Sequence, residues 1–84
     1  MKILKKIGII ITSLLISGAA YAETWNMALA YGAGNFHSQN ATEFANAVTK
    51  KSGGKLTIKT HPGGSLFKGG AILRAVQTGQ TQIG

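Results

Sequence analysis

The sequence has 84 residues, a formal net charge of +7 at neutral pH and no cysteine. The lack of cysteine excludes disulfide bonds and a lipid-modified cysteine at the start of an exported chain. Three of the nine basic residues lie within the first six positions, so much of the positive charge belongs to the amino-terminal segment and says little about acidic partners.

The amino-terminal segment, residues 1–22, has the pattern of a secretory signal peptide. A basic start is followed by an apolar run at 7–16 and by a small-x-small sequence at 20–22. The apolar run has about 10 residues, whereas a membrane-spanning helix needs about 20. We therefore predict cleavage between Ala22 and Glu23 and export of a chain that is not embedded in the membrane. An uncleaved membrane anchor is the alternative.

The first predicted strand covers residues 24–31, TWNMALAY. Trp25, Met27 and Leu29 alternate with smaller residues, and this period of two is typical of a strand. The second face is uncharged as well, so both faces can be covered, as in parallel sheets. A loop at 32–37, GAGNFH, follows the strand.

A helix is predicted over Asn40–Lys51. Asn40 is a suitable cap because Glu43 stands three residues later, and Ser38 is an alternative cap. We expect Phe44, a large aromatic residue, to be the main buried anchor of this helix. The apolar residues at helical spacing are Ala41, Phe44, Ala45 and Val48.

The second half of the chain repeats the alternation of strand and helix. A strand is predicted over 56–60 and ends near Pro62, which has no N–H group for a sheet ladder. A glycine-rich loop at 61–66 leads to a helix over 71–78, and residues 81–83 begin a third strand. This order predicts an α/β fold with a parallel sheet and flanking helices.

Residues 23–84 are few for a domain that has no disulfide bond to stabilise it. The third predicted strand also begins at the last residues, without a partner beyond it. We therefore expect this segment to be the incomplete β-α-β-α-β start of a larger lobe.

The predicted ligand site lies at the ends of two strands. Ligands of open parallel sheets bind beyond the carboxyl ends of the strands, which here means the loops 31–37 and 61–66. Both loops precede helices, whose N-termini favour anions, so we expect a carboxylate or phosphate ligand. The ring of His37 is suited to donate to a ligand oxygen, with a surface or capping histidine as the alternative. His61, next to Pro62 at a strand end, is a weaker candidate for such a role.

Several other functions have little support in the sequence. The two acidic residues lie outside both loops, so no carboxylate pair is available for acid–base catalysis, and Ser65 lacks the context of a nucleophile elbow. Neither histidine has a second metal ligand at a suitable spacing. The glycine-rich loops fit neither the dinucleotide fingerprint nor the Walker phosphate loop. We expect no enzymatic activity, no cofactor and no nucleic-acid partner.

An ordered set of short segments runs through the predicted strands, helices and loops: Trp25, Phe44-Ala45, Val48, Lys51–Ile58 (KSGGKLTI), Pro62–Leu66 (PGGSL) and Ala75–Gly79 (AVQTG). Through this set, residues 24–84 resemble the amino-terminal part of the solute-binding protein of a tripartite ATP-independent periplasmic (TRAP) transporter, of the dicarboxylate-binding type. The chain departs from the family at Phe67, where glycine is usual.

The resemblance implies a two-lobed, periplasmic-binding-protein-like receptor. Such a receptor captures a small organic acid in the periplasm and delivers it to membrane permease subunits. The family's carboxylate-clamping arginine lies beyond Gly84, so Arg74 is not expected to take its role. We also include Ser65, from the second loop, as a candidate contact. The contacts that the resemblance implies for the first loop are Tyr31, Asn35, Phe36 and His37.

Two alternatives stay open. Residues 23–84 carry six basic residues and two acidic ones, a net charge of +4, so a small secreted protein that binds anionic polymers or membranes is one. Salt-sensitive binding to nucleic acid or anionic lipid would favour it. A fragment of an ABC-type solute-binding protein, which shares the broad architecture, is the other. The downstream arginine and neighbouring permease genes would separate it from a TRAP receptor.

Overall fold

The computed structural model describes residues 21–84, so the predicted signal peptide lies outside the described residues apart from its last two positions. The predicted cleavage point between Ala22 and Glu23 coincides with the start of the first strand. The elements are, in chain order, β1 (Glu23–Ala28), α1 (Phe36–Lys51), β2 (Leu56–His61), a short 3-10 helix (Gly69–Ala71) and α2 (Ile72–Gln77). The predicted alternation of strands and helices is confirmed.

The two strands pair in parallel, in a register that runs from Glu23 opposite Leu56 to Ala28 opposite His61. On the other side of β1, Met27 forms a parallel bridge with Ile83. The third predicted strand is therefore present as a single bridge, and β1 lies between β2 and Ile83. A parallel sheet with flanking helices is the α/β arrangement that the sequence predicts.

The core lies between α1 and the sheet. Met27, Ala45 and Ile58 are buried together at its centre. Ala28, on the opposite face of β1, is buried as well, so both faces of this strand are covered, as its uncharged second face suggests. Partly buried side chains complete the core: Trp25, Leu29, Ala41, Val48, Leu56 and Ile83.

The expectation that Phe44 anchors the core is wrong. Its side chain is 51% exposed, whereas the next residue, Ala45, is 1% exposed. Successive helical residues are turned by about 100°, so the side that faces the sheet admits only one of the two. The small Ala45 lets α1 approach closely, and the Ile58 N–H group donates to Thr49 Oγ1 of the helix at 3.2 Å.

The helix also begins earlier than predicted, at Phe36 instead of Asn40. Its cap is Asn35, which has an extended backbone and whose Oδ1 accepts a hydrogen bond from the His37 N–H at 2.9 Å. Asn40 and Ser38, the two caps considered from the sequence, lie inside the helix. Asparagine at this position satisfies an N–H group that the helix itself leaves without a partner.

The strand β2 ends at His61, directly before Pro62, as predicted. The second helix starts at Ile72 and has only six residues; Ala75 on its inner side is buried, while Leu73 is exposed. Across residues 21–84, no helix has both the length and the apolar character that crossing a membrane requires.

Candidate ligand site at the carboxyl edge of the sheet

The loops that follow the two strands are joined by backbone hydrogen bonds. The Gly63 N–H donates to the Tyr31 carbonyl at 2.7 Å, and the Gly64 N–H donates to the Leu29 carbonyl at 2.9 Å. Both glycines have left-handed backbones, with φ of 69° and 67°, a conformation that other residues adopt only with strain. The loops 31–37 and 61–66 therefore lie side by side, as expected for parallel strands.

The first loop is also fixed to the start of α1. The Ser38 hydroxyl donates to the Tyr31 carbonyl at 2.7 Å, and Ser38 is only 1% exposed. The Tyr31 carbonyl thus accepts from both Ser38 and Gly63, so one oxygen connects the first loop, the first turn of α1 and the second loop. A buried hydroxyl needs such a partner, because leaving it unpaired costs about 1–3 kcal/mol.

Three aromatic rings lie together on the surface of this edge. We call Tyr31, Phe36 and His37 the aromatic cluster. The Tyr31 and His37 rings stack with centroids 5.3 Å apart, and the Phe36 and His37 centroids are 3.9 Å apart. Tyr31 is 55% exposed and Phe36 is 70% exposed. Exposed apolar surface of this kind marks a binding surface when it is contiguous.

The aromatic cluster combines apolar faces with polar groups. The rings of Tyr31 and Phe36 suit the flat apolar side of a small molecule, and the Tyr31 hydroxyl and the His37 ring nitrogens supply hydrogen bonds. The His37 backbone N–H is already taken by the Asn35 cap. An anion at this helix end would therefore use side-chain donors or other amides.

The remaining candidates are placed differently. Ser65 is exposed in the second loop, where its N–H donates to the Pro62 carbonyl at 3.3 Å, and it is linked to the first loop through Gly63 and Gly64. His61 is half-buried, and its Nε2 lies 2.9 Å from Asn26 Oδ1. This bond gives the His61 side chain a partner within the sheet. Asn26 was not predicted as a site residue, because its only signal in the sequence is a polar residue within an apolar strand.

Two hollows flank the joined loops. One, of about 440 Å³, lies on the β2 side and is partly polar, with Gln39, Glu43 and Thr60 among its lining residues. The other, of about 420 Å³, lies on the β1 side and is mostly apolar, with Tyr31 and Leu73 in its wall. Both volumes are of the size that small-molecule sites occupy. Within the described part of the chain, no group of three or more metal-binding side chains comes together.

Residues 27–84 match the family model described as DctP, bacterial extracellular solute-binding protein, family 7. The chain belongs to this family. The resemblance to TRAP solute-binding proteins is thereby confirmed, and the family consists of solute receptors rather than enzymes.

Solved structures of TRAP receptors are similar to the chain. A marine metagenome TRAP solute-binding protein specific for pyroglutamate, crystallised with co-purified pyroglutamate, is 59% identical with a TM-score of 0.70; the match covers 73% of this chain and 20% of that one. DctP6 of Bordetella pertussis, an extracytoplasmic solute receptor that binds pyroglutamic acid, is 45% identical with a TM-score of 0.70, over 71% of this chain and 20% of that one.

A more distant relative is a TRAP periplasmic solute-binding protein from Desulfovibrio salexigens. It is 28% identical with a TM-score of 0.66, and the match covers 69% of this chain and 18% of that one. The chain thus spans about one fifth of the length of the solved receptors that it matches.

Proposed function

We propose that this chain forms the start of the first lobe of an exported TRAP receptor that captures a small carboxylic acid. The observation that carries the proposal is the 59% identity to a receptor specific for pyroglutamate. The joined strand-end loops support it, because an open parallel sheet binds its ligand at this edge. In the intact receptor, closure of two lobes around the acid would precede its delivery to membrane permease subunits.

The proposed ligand contacts are the aromatic cluster with Asn35 and Ser65. Pyroglutamate has a small lactam ring and one carboxylate. The rings of Tyr31 and Phe36 would contact the lactam, and His37 would donate to a ligand oxygen. Asn35 holds the start of α1 in position through its bond to His37. Ser65 would add a hydroxyl from the second loop, and the clamping arginine implied by the resemblance would come from beyond Gly84.

The proposed location is the periplasm. Residues 1–22 have the pattern of a signal peptide, and the matching family is described as extracellular. Mass spectrometry of protein recovered from the periplasm tests this directly. We expect a mature amino terminus at Glu23; a terminus at Met1 in the membrane fraction would support the anchor alternative instead.

The reading frame beyond the codon for Gly84 is the first genetic test. We expect it to continue over the length of the solved relatives, to encode an arginine in a second lobe and to lie near genes for permease subunits. A stop codon at that point would contradict the receptor role and would mean either a decayed gene or a small secreted protein.

Ligand binding tests the site itself. We expect the intact receptor to bind pyroglutamate in isothermal titration calorimetry, with succinate as a dicarboxylate competitor. Phe36→Ala should raise the Kd by roughly three- to tenfold, the size of an aromatic contact. Phe44→Ala is the matched control, because it removes an exposed phenylalanine from the same helix outside the loops. Equal effects of the two variants would contradict the proposed site. Tighter binding of succinate than of pyroglutamate would indicate that the ligand is a dicarboxylate.

A further inference from the structure

A hydrogen bond joins the two strands beneath the proposed site. Asn26 on β1 pairs with Lys59 in the sheet register, and Ala28 pairs with His61. The Asn26 and His61 side chains therefore meet on the diagonal of one sheet face, where long side chains still reach each other. His61 Nε2 lies 2.9 Å from Asn26 Oδ1 in a half-buried setting. With the Asn26 amide oxygen facing the ring, His61 Nε2 is the donor of this bond.

Asn26 also holds the segment on its other side. The Asn26 N–H donates to Gln82 Oε1 at 2.8 Å, and its carbonyl accepts from the buried Thr81 hydroxyl. Through its backbone, Asn26 thereby contacts the segment that bridges to Met27. Through its side chain, it contacts His61, the last residue of β2. The backbone groups of Asn26 do not depend on its side-chain amide, so the bond to His61 can be removed separately.

His61 is the last residue of β2, at the point where the second loop begins. Pro62, Gly63 and Gly64 follow it, and the two glycines donate to the Tyr31 and Leu29 carbonyls. The Leu29 N–H in turn donates to the His61 carbonyl at 3.1 Å. The position of His61 therefore sets where the second loop leaves the sheet and how it meets the first.

We propose that Asn26 and His61 are a positioning pair that holds the two strand-end loops in the arrangement required for ligand binding. The inference rests on the proposed function, since it takes these loops as the ligand site. Neither side chain needs to touch the ligand. His61 Nε2 is occupied by Asn26, which removes that nitrogen from the donors available to a bound acid.

Amide hydrogen exchange in the intact receptor tests the pair. In Asn26→Leu and His61→Ala, we expect exchange at the Gly63 and Gly64 amides to accelerate by roughly three- to tenfold, the range that one ordinary hydrogen bond accounts for. The Kd for pyroglutamate should rise by a similar factor. The double variant should be no worse than either single one, because both remove the same bond.

Two variants complete the design. Asn26→Asp keeps an acceptor oxygen opposite His61, and we expect it to retain slow exchange at both glycines and wild-type affinity. Lys59→Ala removes the exposed residue opposite Asn26 in the register and should change neither measurement. Amides within α1 provide an internal reference that should stay constant in every variant.

The outcomes separate the pair from the proposed function. Unchanged exchange at Gly63 and Gly64 in Asn26→Leu would overturn the positioning role. Faster exchange at these glycines with unchanged affinity for pyroglutamate would show that the pair holds the loops but is not required for ligand binding, which would overturn the proposal. If the wild-type receptor does not bind pyroglutamate, the proposal that pyroglutamate is its ligand is wrong. The exchange result would still decide whether the pair fixes the loops.

Discussion

The two ends of the sheet are held in similar ways but present different surfaces. At the carboxyl end, the Ser38 hydroxyl donates to the Tyr31 carbonyl at 2.7 Å. At the amino end, the Ser52 hydroxyl donates to the Thr49 carbonyl at 3.0 Å and accepts from the Leu56 N–H at 3.1 Å. A serine near one end of α1 fixes the backbone in both cases, and left-handed glycines form both turns.

The exposed side chains distinguish the two ends. The carboxyl end exposes the aromatic cluster, whereas the amino end exposes Lys50, Lys51 and Lys55. Exposed lysines lose no hydration and suit a helix C-terminus, where cations meet the negative end of the dipole. Exposed aromatic rings gain no comparable stabilisation from hydration or from the helix dipole. This difference supports the proposal that the ligand binds at the carboxyl end rather than at the amino end.

The largest expected effect comes from the core between the two ends. Ile58→Ala should lower the free energy of unfolding by about 2–5 kcal/mol, because it leaves a cavity against Met27 and Ala45. Both ends should loosen together. Thermal or denaturant unfolding of the intact receptor measures the change, with Phe44→Ala as an exposed control expected to cost much less. A larger loss from Phe44→Ala would mean that Phe44 is the anchor after all.

The two serines give the next largest effect and should separate stability from affinity. Ser52→Ala removes two hydrogen bonds and leaves the Leu56 N–H without its acceptor, so we expect a loss of about 1–3 kcal/mol with an unchanged Kd. Ser38→Ala removes one bond and leaves Gly63 on the Tyr31 carbonyl. It should cost about 0.5–1.5 kcal/mol and weaken pyroglutamate binding. The same Kd for both variants would show that the two ends do not differ in their effect on pyroglutamate binding.

A left-handed glycine at each end of the sheet allows the two ends to be tested at matched backbone strain. Gly53 and Gly63 have φ of 64° and 69°. A new Cβ would meet nothing within 4 Å at Gly53, and its nearest neighbour at Gly63 would be Gly32 Cα at 3.9 Å. Each change to alanine should therefore cost about 1–2 kcal/mol of backbone strain. Unfolding and calorimetry should report equal destabilisation, with weaker ligand binding only in Gly63→Ala.

The smallest effect is expected at the exposed lysines. Replacing Lys50, Lys51 and Lys55 together by glutamine should change the free energy of unfolding by about 0.5 kcal/mol or less. It should leave pyroglutamate affinity unchanged. Sedimentation with vesicles of anionic lipid at low and physiological salt tests the alternative function at the same time. Salt-sensitive vesicle binding that the triple variant loses would assign the amino end a function of its own.

The order and direction of the elements follow from local signals in the sequence. Alternation of apolar residues is a local signal, and it predicted the second strand from its first residue, Leu56, to within one residue of its end. Pro62 and the paired glycines fixed the turns, because their backbone restrictions are local as well. The predicted ligand edge followed from the parallel order alone, and the family resemblance added Tyr31, Asn35, Phe36 and His37.

Which of these residues meet depends on packing between distant parts of the chain. Whether Phe44 or Ala45 faces the sheet depends on how closely α1 approaches β2, which no local pattern encodes. The Asn26–His61 bond depends on a strand register between residues 35 positions apart. The aromatic cluster depends on the Asn35 cap, which starts α1 early enough to bring His37 against Tyr31. These contacts join distant parts of the chain, so only the packed structure could select them.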